Sequence, residues 1–114
     1  MAKFLIREKT PGKLQFCLVN DDGDKVLTSP NYVLTSECIK GIGAVRFNSR
    51  YKDRFRKKIS KKGKFYFTLV ADGDRKIGRS PMYETANARN CDILLLGMVA
   101  HKAVVENITN FYIL

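Results

Sequence analysis

The residues with most chemical potential in this chain are its cations. Between Arg46 and Lys64 stand Arg46, Arg50, Lys52, Arg54, Arg56, Lys57, Lys58, Lys61, Lys62 and Lys64, against a single acid, Asp53. That segment therefore carries +9, nearly all of the formal +10 spread over 114 residues. Lys and Arg at this density neutralise phosphates and release condensed counterions, the chemistry of nucleic-acid binding. Phe47, Tyr51 and Phe55 are interleaved with them. Such rings suit stacking on bases, and equally suit anchoring a connector to a core. The competing reading of segment 46–64 is a solvated linker kept soluble by self-repulsion. Anionic lipid is a poor match, because the segment has no helical apolar stripe.

Other candidate chemistry is thin. Asp21-Asp22-Gly23-Asp24 and Asp72-Gly73-Asp74 cluster carboxylates that would suit a hard cation. The bidentate Glu and the flanking helix pair of an EF-hand loop are missing, so both stretches read as hairpin turns. His101 is tied to no nucleophile or orienting acid by any motif. Gly41-Ile42-Gly43 lacks the third glycine and preceding strand of a dinucleotide loop. Cys17, Cys38 and Cys91 form no C-x-x-C spacing and cannot all pair within one chain. They read as reduced packing residues of a cytoplasmic protein. No catalytic residue, metal site or cofactor is expected.

Composition sets the frame for these residues. With 45% hydrophobic and 28% charged residues, the chain has enough apolar content for one packed core, and disorder is not the expectation. No apolar run approaches the roughly 20 residues that span a bilayer, so no membrane partner is expected. Arg7, Glu8 and Lys9 follow too closely on the start for a secretory signal. The sequon Asn107-Ile108-Thr109 is accordingly not expected to be glycosylated.

The elements that must position the cations repeat along the chain. Shifting the sequence by 51 residues lays Gly12-Lys13-Leu14-Gln15-Phe16 on Gly63-Lys64-Phe65-Tyr66-Phe67. It also lays Ser29-Pro30-Asn31-Tyr32 on Ser80-Pro81-Met82-Tyr83, and Ile42 on Ile93, without a gap over some 34 positions. Self-similarity at one fixed offset marks a duplicated structural unit. Alternating Leu14, Phe16, Leu18 and Phe65, Phe67, Leu69 predict strands with one buried face. The opposite set, Cys17, Val19, Tyr66, Thr68 and Val70, is then expected to face outward. Asp22-Gly23 and Asp72-Gly73 predict tight hairpins into return strands that end at Pro30 and Pro81.

After Tyr32 the period changes. Cys38, Ile42 and Val45 make one helical apolar stripe, with Thr35 or Ser36 as the expected N-cap. In the second unit Thr85 is the expected cap, and Ile93 to Leu96 predict a helix buried on more than one side. Lys3 to Arg7 predicts a strand ahead of the first unit, turned by Pro11-Gly12. Tyr51 to Ile59 predicts its counterpart ahead of the second, which would put part of the basic run on a sheet edge. The expected class is α+β: a β-β-β-α unit twice over, an antiparallel sheet packed on two helices. One domain would hold both units, residues 1–50 and 51–114.

On Gly63-Lys64-Phe65-Tyr66-Phe67, Leu27-Thr28-Ser29-x-x-Tyr32 and Gly41-Ile42-x-x-Val45-Arg46-x-Asn48, the chain resembles the YegP-like family of small bacterial proteins of unknown function. The resemblance runs from Phe4 to about Thr109. It implies an α+β fold with one helix per repeat, and it brings no enzyme activity or catalytic residue with it. Asp-Gly stands where the family has Asn-Gly in the hairpin, and Asp92-Ile93-Leu94-Leu95-Leu96 replaces the Gly-Ile-x-x-Val pattern in the second helix. Together these readings point to a non-enzymatic binding module, with nucleic acid as the favoured partner of segment 46–64. The alternative is a protein–protein or homo-oligomeric module, resting on the outward set above and on the apolar tail Phe111 to Leu114.

Overall fold

Alternating side chains and paired turn residues build most of the molecule. The computed structural model describes residues 1–107; the tail Phe111 to Leu114 and most of the sequon lie outside that range. Strands β1 (Lys3–Thr10), β2 (Lys13–Val19) and β3 (Lys25–Thr28) lead into helix α1 (Thr35–Asn48). Strands β4 (Phe55–Ile59), β5 (Phe65–Ala71) and β6 (Arg75–Arg79) lead into α2 (Ala86–Val99), and β7 (Val104–Asn107) follows. All nine lie in one α+β arrangement with a seven-stranded sheet, ordered β4-β5-β6-β3-β2-β1-β7.

Two features depart from the expected β-β-β-α twice. A seventh strand closes the order, and it pairs with β1 in parallel, Lys3 opposite Val104 through Ile6 opposite Asn107. Every other neighbouring pair is antiparallel. The leading strand expected from Tyr51 begins only at Phe55, because Lys52–Arg54 form a 3-10 turn. Its place at the sheet edge is as expected.

One face of the sheet carries the core. Phe4, Ile6, Phe16, Leu18, Phe67 and Leu69 are fully buried there, in one cluster with Cys38, Ile42 and Val45 of α1 and Ile93 and Leu96 of α2. Phe4 meets Phe16 edge-on at 5.9 Å and Phe55 meets Phe67 at 5.6 Å, the geometry that aromatic quadrupoles favour. Ser29 and Ser80 end their strands in the same way. Each hydroxyl accepts from a backbone N–H, Phe16 or Phe67, at 2.9 Å and donates to the following proline carbonyl at 2.8 Å.

The helices differ in detail. Thr85 caps α2 as expected, its hydroxyl accepting from the Ala88 N–H at 3.1 Å. The α1 cap falls at Leu34 rather than Thr35 or Ser36. Leucine has no acceptor to offer, so the Glu37 carboxylate folds back onto the N–H groups of Leu34 (2.9 Å) and Val33 (3.1 Å). The second helix is not buried on several sides: Arg89, Ile93 and Leu96 face inward while Leu94 and Met98 stand exposed. Gly41 lets Tyr32 close on α1, since a Cβ there would lie 2.8 Å from the Tyr32 hydroxyl. Asp92, 51 residues on, instead accepts a 2.6 Å hydrogen bond from Tyr83, which explains how the altered helix pattern is accommodated.

The sheet is continuous because β3 meets β6, although Thr28 opposite Arg79 is the one backbone pairing between them. Behind that pair Leu27 packs onto Gly78, where a Cβ would stand 2.7 Å from Leu27 Cγ and Cδ2. Gly78→Ala is therefore expected to destabilise the protein by about 1–3 kcal/mol, the cost of overpacking. Gly43→Ala, on an open position of α1, is expected to stabilise by up to about 1 kcal/mol. Urea denaturation of both variants checks this, and an unchanged midpoint for Gly78→Ala would contradict the packing described.

Candidate functional site

The fold distributes the cations of segment 46–64 rather than gathering them. Arg46, at the end of α1, donates to the Ala103 carbonyl at 2.6 Å and lies over the Phe4 ring at 5.5 Å. It ties the helix to the chain entering β7. Arg50 covers the rings of Phe47 (5.0 Å) and Tyr51 (5.6 Å), and Phe55 is buried against Phe67. The three interleaved aromatics are thus already in contact with protein groups. Lys52 and Arg54 sit in the 3-10 turn, Arg56, Lys57 and Lys58 on the edge strand β4, and Lys61 and Lys62 in the turn to β5.

Acids remote in sequence meet several of these cations. Arg54 pairs with Asp72 at 2.6 Å and Arg56 with Asp74 at 2.6 Å, while Lys64 pairs with Glu84. The Asp72 hydrogen bond holds the Arg54 guanidinium above its ordinary value. The local +9 of the sequence is therefore reduced in space. The expected turn carboxylates find their role here as well, since Asp72 and Asp74 are the partners of the two arginines. Lys52, Lys57, Lys58, Lys61 and Lys62 make no ion pair among the described residues. Nor does any group of three or more His, Cys, Asp or Glu able to hold a metal ion occur among them.

A second set of cations appears once strand register is applied. Directly opposed residues of neighbouring strands project to the same face. Lys58 lies opposite Tyr66, Arg56 opposite Thr68, Thr68 opposite Arg79, Arg79 opposite Thr28, and Thr28 opposite Cys17. Lys76 stands opposite Val70 and Lys25 opposite Val19, and Lys3 and Arg7 alternate with the buried Phe4 and Ile6. All of these share the face that the helices leave uncovered. The sequence reading missed Lys3, Arg7, Lys25, Lys76 and Arg79 because it counted charge along the chain. The period-2 alternation together with the hairpin registers held the signal.

That face is closed over the apolar residues of β2 and β5. Cys17, Val19, Thr68 and Val70 are buried, contrary to the expected outward-facing apolar set. Strands β2 and β5 have neighbours on both sides, and long side chains of those neighbours lean over them. The Arg79 guanidinium lies 4.9 Å from the Tyr66 ring centroid. Burial pushes the Cys17 thiol up, against the opposing pull of Lys25 and Arg7 nearby. Cys17, Val19 and Val70 therefore offer no apolar docking surface.

Comparison with known proteins gives a consistent relationship. Residues 60–93 match the model of a domain of unknown function, DUF1508. The UPF0339 protein YegP of Escherichia coli is 38% identical over 90 residues, covering 79% of this chain and 82% of that protein. A UPF0339 protein of Pseudomonas aeruginosa is 35% identical over 88 residues, covering 76% and 80%. The solution structure of yegP from Escherichia coli, described as a protein of unknown function, superposes with a TM-score of 0.89 at 33% identity over 95% of this chain and 93% of that one. A UPF0339 protein structure from Shewanella oneidensis gives 0.91 at 27% identity over 97% and 94%.

Thiol chemistry checks whether the helix-free face is closed. Burial raises both the Cys17 and Cys38 thiols, so less thiolate forms at mildly alkaline pH and attack on a disulfide reagent slows. Cys91 is exposed. The folded protein is expected to release one rapid equivalent of thionitrobenzoate near pH 8 and the remaining thiols only on unfolding. Rapid reaction at Cys17 would show an open face.

Proposed function

We propose, from the premise that this chain belongs to the UPF0339 (YegP) family of proteins of unknown function, that it is a non-enzymatic module binding nucleic acid on the helix-free face of its sheet. The observation that carries this reading is the charge of that face. Lys3, Arg7, Lys25, Lys58, Lys76 and Arg79 share it by register, and Glu106, the acid opposite Leu5, is bound to Lys3 at 3.1 Å. Cations spread over a sheet contact a phosphate backbone without reading its sequence. Lys58, opposite Tyr66 on the edge strand β4, brings part of segment 46–64 onto this surface.

The same reading takes residues 1–50 and 51–114 as two copies of one unit within a single domain. Support comes from the Ser29 and Ser80 hydrogen bonds, identical in partners and length, and from the bridges of Leu14 with Tyr32 and Phe65 with Tyr83. Duplication supplies Lys25 and Lys76 at matching places and so doubles the phosphate contacts. Three free cysteines suit work in the reducing cytoplasm, and no described helix is long and apolar enough to cross a membrane. A protein or second-copy partner is a further reading, favoured by the exposed Leu94 and Met98, one helical turn apart on α2.

Salt dependence tests the principal reading. A fluorescence titration with short DNA and RNA strands is expected to give micromolar or weaker affinity near physiological salt. With four phosphate contacts on a single strand, the log–log slope against salt is expected at about −3. Absence of binding at low salt would remove nucleic acid as the partner.

A further inference from the structure

Two hollows open on the helix-free face beside the Thr28–Arg79 pair. The first, about 250 Å³, is walled by Tyr66, Thr68 and Lys76 from β5 and β6 and by Ser29 and Pro30 from the end of β3. The second, about 470 Å³, is walled by Gln15 and Lys25 from β2 and β3 and by Ser80 and Pro81 from the end of β6. Thr28, Ser29 and Arg79 belong to both. Residues 51 apart thus exchange places: Lys25 for Lys76, Gln15 for Tyr66, Ser80-Pro81 for Ser29-Pro30. The exchange runs across the antiparallel β3–β6 seam, each hollow taking its lysine from one side of it and its Ser-Pro wall from the other.

The walls are chemically one-sided. No carboxylate lines either hollow, and Lys25 and Lys76 are exposed and make no ion pair among the described residues. Stacking on Tyr66 holds the Arg79 guanidinium in place at the boundary between the hollows, and a guanidinium fork matches phosphate oxygens. The Thr68 hydroxyl at the wall of the first hollow is buried and has no hydrogen-bond partner, which leaves an O–H donor unused. Ser29 and Ser80 are already satisfied, so they shape the walls and leave donation to their neighbours.

We infer that the two hollows are twin phosphate subsites, occupied by two phosphates of one nucleic-acid strand laid across the β3–β6 seam. Lys76 and Thr68 hold one phosphate; Lys25 holds the other together with the second amide N–H of Gln15, whose first donates to the Ser29 carbonyl at 3.1 Å; and Arg79 stands between them. The inference rests on the nucleic-acid reading for the source of the phosphates. The anion chemistry of the hollows does not depend on that source.

Two titrations separate these levels. In amide-resolved NMR, sodium pyrophosphate is expected to shift Thr28, Thr68 and Arg79 saturably, and Thr68→Val is expected to weaken that binding severalfold. In fluorescence anisotropy with a labelled strand of about twelve nucleotides, the double variant Lys25→Ala, Lys76→Ala is expected to flatten the log–log salt slope by about 1.4, two contacts' worth on a single strand. All three sites of the control variant, Lys57→Ala, Lys61→Ala, Lys62→Ala, lie outside the hollows, so its slope should change less. A double variant with the full wild-type slope, alongside a control that loses it, would overturn the twin subsites and leave nucleic-acid binding standing. Pyrophosphate saturation without any oligonucleotide binding would overturn the strand and keep the anion sites. Failure of both titrations would end both readings.

Discussion

The close packing of Leu27 on Gly78 is the contact on which the rest of the structure depends. Strands β3 and β6 share one backbone pairing, Thr28 with Arg79, too little on its own to hold two three-stranded meanders in one sheet. A side chain on Gly78 would collide with Leu27, so the absence of a Cβ lets the leucine fill the seam from the core side. With the seam closed, Phe16, Leu18, Phe67 and Leu69 join a single cluster under both helices. The opposite surface becomes continuous for the same reason, and cations from four strands come to share it.

Charge on this protein is organised by face and edge rather than by position along the chain. The basic segment looks like one feature in the sequence, yet its members serve different ends. Arg46 braces α1 against the entry to β7, Arg54 and Arg56 hold the acidic turn before β6, Lys57 and Lys58 stand on the edge strand β4, and Lys61 and Lys62 occupy the turn after it. Lysines on an edge strand also discourage pairing with another chain. The lysines and arginines of β1, β3 and β6, scattered among acids in sequence, meet on one surface because strand register brings them there.

Some departures follow from competition between local chemistry and packing. At the start of α1 Thr35 and Ser36 have the chemistry of caps, but the cap falls at Leu34 and Glu37 accepts from the N–H groups of Val33 and Leu34 just ahead of the helix. Exposed Leu94 and Met98 show that an apolar helix sequence does not by itself say how many sides are covered. The burial of Cys17, Val19, Thr68 and Val70 reverses a period-2 expectation, because alternation separates two faces without saying that the second is wet. Flanking strands with long side chains keep water from those residues.

The sequence alone determined what depends on neighbours within a few residues. Strands β1, β2, β3, β5 and β6, the turns at Pro11-Gly12 and Asp22-Gly23, the Thr85 cap and the inner stripe of α1 are all readable from local period and turn chemistry. So was the α+β class, since stretches of strand period and of helix period both occur along the chain. Only the tertiary structure decided the β3–β6 seam, the parallel pairing of β7 with β1, the acids that meet Arg54 and Arg56, and the face on which Lys25, Lys76 and Arg79 converge. Those arrangements join residues far apart along the chain. Which distant partners meet is settled by shape and charge once the strands are side by side, and no local pattern encodes that choice.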